Sequence, residues 1–99
     1  MIMVVGLLRM ELYLPGANSL KEKRQIVKSI IGKVENKYNV SISEVDHHDL
    51  WQRVTIGIAH VSETGEHTKK VLDHVDRFVE SLDKAIVSER ELSIFAPEE

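Results

Sequence analysis

Cysteine is absent from the sequence, which rules out disulfide staples and thiolate metal ligands and suits a reducing compartment. Long apolar runs are missing too. The longest near the start, "MIMVVGLL", is too short to cross a bilayer and carries neither a basic leader nor a small-residue cleavage site. It reads as a strand, and without a targeting signal the expected location is cytoplasmic, with no membrane contact. A glycine-rich phosphate loop, a nucleophile elbow and a thiol are all lacking, so no catalytic residue is assigned and no cofactor is expected. Basic charge is not in excess either. The net charge of −3 argues mildly against a general nucleic-acid binder.

What is present fits one soluble domain spanning residues 1–99, with 42% apolar and 29% charged residues. A chain of this size buries roughly 60–70% of its unfolded surface, so self-association is a useful way to cover the remainder. The charge is unevenly spread. Ser19 to Tyr38 holds six Lys or Arg against two Glu, while Glu63 to Asp83 holds six acids against three bases. The surface is therefore expected to be dipolar.

Residues Ile2 to Leu14 alternate, with Ile2, Val4, Leu8, Met10, Leu12 and Leu14 on one face and Arg9, Glu11 and Tyr13 on the other. This predicts a half-buried strand. Ser19-Leu20-Lys21-Glu22 has the form of a capping box, and Val27, Ile30, Ile31, Val34 and Tyr38 recur at helical spacing after it. "VSISEV" and "RVTIGIAHVS" read as strands. Thr64 is a fair N-cap for a second helix with the stripe Val71, Leu72, Val75, Phe78, Val79 and Leu82. "AIVSERELSIF" is a last strand and "APEE" a frayed tail. The order β-α-β-β-α-β, with right-handed crossovers, predicts an α+β ferredoxin-like domain: a four-stranded antiparallel sheet in the order 4-1-3-2, with both helices on one face. The stripe Val27, Ile30, Ile31 and Val34 should bury against the even-numbered residues of the first strand.

At "SLKEKR", "SEVDHHDLWQR" and "IGIAHVS" the sequence resembles the YlxP-like family of small bacterial proteins, a domain of unknown function. The likeness runs over nearly the whole chain. It implies a ferredoxin-like fold, in agreement with the pattern above, and implies no activity. Genes of that family often lie near those for translation initiation and ribosome-binding factors, an association that lends weight to a ribosomal or RNA-related role.

The densest chemistry is Asp46-His47-His48-Asp49-Leu50-Trp51, between the second and third strands. Alternation along a strand allows only two of the four polar side chains on one side, too few for structural zinc, so no metal site is assigned. The simpler reading is that Asp46 and Asp49 serve the turn and a histidine bonds to one of them. Trp51 is expected to cover the rim of the core or a dimer seam, with Gln52 and Arg53 as polar neighbours. A fully buried indole would cost roughly 3–5 kcal/mol on truncation to alanine. Stacking on a base or anchoring a partner is its alternative role.

Lys21, Lys23, Arg24 and Lys28 cluster in the first two turns of helix one, and Lys21, Arg24 and Lys28 form one stripe. Phosphate contact is the functional reading, and a solvated charged face the plain one. An RNA-recognition-motif mechanism is rejected, because the first strand offers no aromatic before Tyr13 and the third none after Trp51, where that module stacks bases on both central strands. The face left open by the helices carries Met3, Val5 and Leu7, which suits a homodimer. Two functions follow as expectations. The first is a non-catalytic binding module touching ribosomal RNA or a translation factor through Lys21, Lys23, Arg24, Lys28, Trp51 and Arg53. The second is a dimeric regulatory domain holding a small molecule at its subunit seam.

Overall fold

The structure is a computed structural model that describes residues 2–97. Met1 and the last two residues of the expected tail lie outside this range. The elements are β1 (Val4–Tyr13), α1 (Leu20–Lys37), β2 (Ser41–Asp46), β3 (Arg53–Ser62), α2 (Gly65–Glu80) and β4 (Ile86–Phe95). The strands pair antiparallel in the order β2-β3-β1-β4. This is the ferredoxin-like βαββαβ arrangement that the sequence pattern predicts.

Alternation along β1 decides which face is covered. Val4, Leu8, Met10 and Leu12 are buried, and Leu14 continues the series just past the strand. Ile2 lies ahead of β1 and is 72% exposed, so the buried face begins two residues later than the pattern suggests. Val27, Ile30 and Val34 from α1, and Leu72, Val75 and Val79 from α2, meet these residues and Val54, Ile56 and Ile58 of β3 in one core. Ile31 only flanks it. The two helices divide the sheet: α2 lies over β1, β3 and β4, while α1 lies along β2 and beside α2. The stripe of α1 thus belongs to the common core, but α2 does most of the covering of β1.

Both helix starts are fixed by their sequences. Ser19 Oγ accepts from the Glu22 amide at 3.1 Å, and Thr64 Oγ1 accepts from the His67 amide at 3.1 Å. The return half of the first box differs from expectation. The Glu22 carboxylate accepts from the Asn18 amide at 3.4 Å, one residue before the cap, so it ties down the incoming loop.

Gly6 sets how closely α2 approaches. A Cβ there would stand 2.2 Å from Thr68 Cγ2 and 2.7 Å from Leu72 Cδ1, both buried on the first two turns of α2. Only a residue without a side chain lets the helix sit at this depth. Gly6→Ala is expected to lower unfolding free energy by about 1–3 kcal/mol through overpacking, read as a lower urea midpoint at unchanged slope.

Candidate functional site

The buried stripe of α1 begins with a charge. Lys23 lies one turn before Val27 on the same face and is 1% exposed. Its Nζ donates to Glu44 Oε2 at 2.8 Å and to the His47 carbonyl at 2.7 Å, with the His48 carbonyl at 3.5 Å. Glu44 is available because it pairs with Ile56 and so faces the helices. One ammonium therefore joins α1, the end of β2 and the turn after it. This corrects the expectation for Lys23, which is a buried anchor with no face for a phosphate. Extending the apolar period of α1 back from Val27 by four residues is the signal that identifies it.

The "DHHDLW" segment folds around that anchor. Asp46 Oδ1 accepts from the His47 amide at 2.7 Å, as expected of a turn acid. His47 has φ 64, a left-handed conformation that histidine adopts more readily than most residues, and the Leu50 amide donates to its carbonyl. The histidines do not pair with the turn acids. His47 Nε2 lies 3.6 Å from Glu11 of β1, and His48 Nδ1 lies 3.3 Å from Glu44. Both glutamates belong to strands that reach this end of the sheet, so they lie closer to the rings than Asp46 or Asp49 does. Among the described residues, no three His, Cys, Asp or Glu side chains group to hold a metal.

Trp51 is 54% exposed, which overturns its expected place at the rim of the core. The chain is held on either side of it. The Leu14 amide donates to the Gln52 carbonyl at 2.8 Å, and Gln52 Nε2 donates to the Ala17 carbonyl at 3.1 Å, tying this loop to the one before α1. With Gln52 turned inward, Trp51 projects outward, beside Tyr13 and Arg53, in a recess of about 470 Å³. Tyr13 and Arg53 are register partners across β1 and β3. An exposed indole and phenol flank a guanidinium at the end of the molecule where α1 starts.

Lys21, Arg24 and Lys28 are exposed on α1, as the stripe predicts, and among the described residues none of them or Arg53 enters a salt bridge. The structure brings Lys21 and Arg24 to the same end as Trp51 and Arg53, and Lys28 continues down the helix. Met3 and Leu7 are exposed on the uncovered sheet face, with Val5 partly covered between them. In the middle of that face Arg9 contacts Glu11, Glu89 and Glu91. Desolvation opposes its charge, but these carboxylates outweigh it and hold the guanidinium above its ordinary value.

At the other end, His60 Nδ1 lies 3.1 Å from Thr68 Oγ1, and Ser62 Oγ lies 2.6 Å from the same hydroxyl. The His60 and His67 rings meet edge to face at 5.7 Å. Partial burial, then the charge of His67, pushes the His60 pKa below its ordinary 6.5. Nothing in the sequence pattern marks this cluster, since its members come from β3 and α2.

A ferredoxin-like domain with a basic helix face and an aromatic end loop is the class defined so far. The family comparison places it further. The chain matches the family model described as "Protein of unknown function (DUF503)" over residues 5–91, and it belongs to that family. It is 45% identical over 78 residues to "Uncharacterized protein YlxP" of Bacillus subtilis (strain 168), covering 79% of this chain and 85% of that protein. Among solved structures it is similar to a de novo designed protein with a ferredoxin fold, LFR1 1, with TM-score 0.50, 17% identity, and coverage of 100% of this chain and 88% of that one. The designed protein Foldit4 matches with TM-score 0.48 and 16% identity over 98% of each chain. No helix among the described residues is long and apolar enough to cross a membrane.

Two outcomes follow from these arrangements. Lys23→Ala leaves Glu44 and a turn carbonyl without their cation, and unfolding free energy should fall by about 3 kcal/mol; a double-mutant cycle with Glu44→Ala should return a coupling of about 1–3 kcal/mol. A His60 pKa depressed in the folded state means that the unfolded chain takes up this proton first. Stability contributed above pH 6.5 is therefore lost as pH falls through that value and below. Melting temperature should drop between pH 7.5 and 5.5, and His60→Gln should shrink the drop.

Proposed function

We propose that this protein is a non-catalytic binding module for single-stranded segments of structured RNA, such as that of the ribosome. The observation that carries the proposal is the exposure of Trp51 beside Tyr13 and Arg53 on a loop anchored from beneath. A base stacked on an indole gains roughly 1–3 kcal/mol with little regard to sequence, and a neighbouring guanidinium adds to it. Lys21, Arg24 and Lys28 then follow the phosphates away from the stacked base along α1. Binding of this kind needs both parts, because three or four cations alone neutralise too few phosphates for tight association.

The anchoring also supports the reading on energetic grounds. A loop that must be ordered on binding spends part of the contact energy on that ordering. Here the Lys23 and Gln52 hydrogen bonds hold the loop before any ligand arrives.

A fluorescent single-stranded RNA of about ten nucleotides, titrated with the full chain at several salt concentrations, tests the proposal. With four cations engaged, the slope of log affinity against log salt should be about −2.8, and each cation removed should reduce it by about 0.7. Lys21→Glu with Arg24→Glu should abolish binding. Trp51→Ala should weaken binding about tenfold or more while changing unfolding free energy by less than about 1 kcal/mol, since the ring is mostly outside the core. Salt-independent binding, or none at low salt, would remove the proposal.

A further inference from the structure

The sheet face away from the helices is uncovered, and it has an apolar half and a charged middle. Met3, Leu7, Val61 and Phe95 are each at least 40% exposed there, grouped by the pairing of Leu7 with Ala59 and of Val5 with Val61 and Phe95. A bulge adds a wall to this half. Glu44 pairs with Ile56 and Asp46 with Thr55, so Val45 is the extra residue, pressed against Gly57 with Cγ1 3.3 Å from where a Cβ would stand. The result is a groove of about 420 Å³ with Gly57 and Ala59 on its floor, bordered by Val45, Leu7, Arg9 and Glu91.

The charged middle selects among occupants. Arg9 lies 2.8 Å from Glu11, 3.3 Å from Glu89 and 4.0 Å from Glu91. Glu11 is further engaged by Thr55 Oγ1, but the side chains of Glu89 and Glu91 are 64% and 66% exposed. Three carboxylates share one guanidinium, and the excess negative charge sits beside the groove. A second copy placed face to face over this band would bring the same carboxylates together, because a two-fold axis matches a patch with itself. The phosphate backbone is repelled for the same reason. A face also offers side chains and no unpaired main chain, so an extended peptide lying on it would leave its own backbone groups unpaired. A helix satisfies its backbone internally, and a helix on a sheet face is a standard third layer.

We infer that the open sheet face docks a cationic amphipathic helix of another protein, its apolar side chains in the groove and a Lys or Arg on Glu89 and Glu91. This contact uses other residues than the RNA proposal, of which Tyr13 and Arg53 lie at the loop end of the same sheet face and Lys21, Arg24 and Lys28 lie on α1.

The test uses two synthetic helical peptides of about 20 residues, matched to the roughly 33 Å length of a ten-residue strand. They share one leucine stripe, and one carries lysine and the other glutamate along its flank. Fluorescence anisotropy with the full chain should show the lysine peptide binding at least about tenfold more tightly, equivalent to about 1.4 kcal/mol. Glu89→Lys with Glu91→Lys should reverse the order, and Leu7→Ser should weaken the preferred peptide in both backgrounds. Melting curves confirm that the variants fold. Equal binding of the two peptides, no binding of the lysine peptide, or an order unchanged by the charge swap would overturn the inference. So would a dimer of the free protein, seen by light scattering, that Leu7→Ser converts to monomer.

Discussion

The ammonium of Lys23 is the interaction on which one end of the molecule depends. Taking a lysine head group out of water is costly unless acceptors replace the lost hydration, and three backbone or side-chain oxygens converge on it here. Each acceptor comes with a constraint. Glu44 must face the helices, which fixes the register of β2 against β3. The carbonyls of His47 and His48 must point inward, which the left-handed residue at the start of the turn allows. Trp51 stands clear of the core because everything beneath it is already committed.

Charge is separated by layer in this fold. The first helix carries exposed cations outward, while the open sheet face gathers carboxylates around Arg9. A sequence with a small net charge thereby presents two surfaces of opposite character. Neither would be visible in the net value, because the sum cancels what the topology keeps apart.

The fold was largely legible because its signals are periodic. Alternation in β1 and β3 and the apolar stripes of both helices repeat often enough to survive one irregular residue, and Ser19 and Thr64 mark the helix starts directly. The candidate site was less legible because its decisive residues break the pattern. A lysine on an apolar face reads as solvated until its partner is known, and that partner lies 21 residues away on another element. Trp51 misleads in the opposite sense. Its hydrophobicity argues for burial, but Gln52 takes the inward position by bonding to the loop before α1, and the indole is turned out. Glu11 lies 3.6 Å from His47 across the sheet, a contact that no local spacing encodes.

The ten-residue strand β4 forms one border of the sheet, and its middle residues are Glu89, Arg90 and Glu91. A long bordering strand is an invitation to assemble end over end through main-chain hydrogen bonds, the route by which folded chains become fibrils. If two copies of β4 were to meet antiparallel about Arg90, arginine would oppose arginine and Glu89 would oppose Glu91 on each side. Like charges directly across a strand pair repel. Shifting the strands to escape that clash leaves fewer residues paired. The same glutamates that colour the open face thus also guard the border against runaway polymerisation.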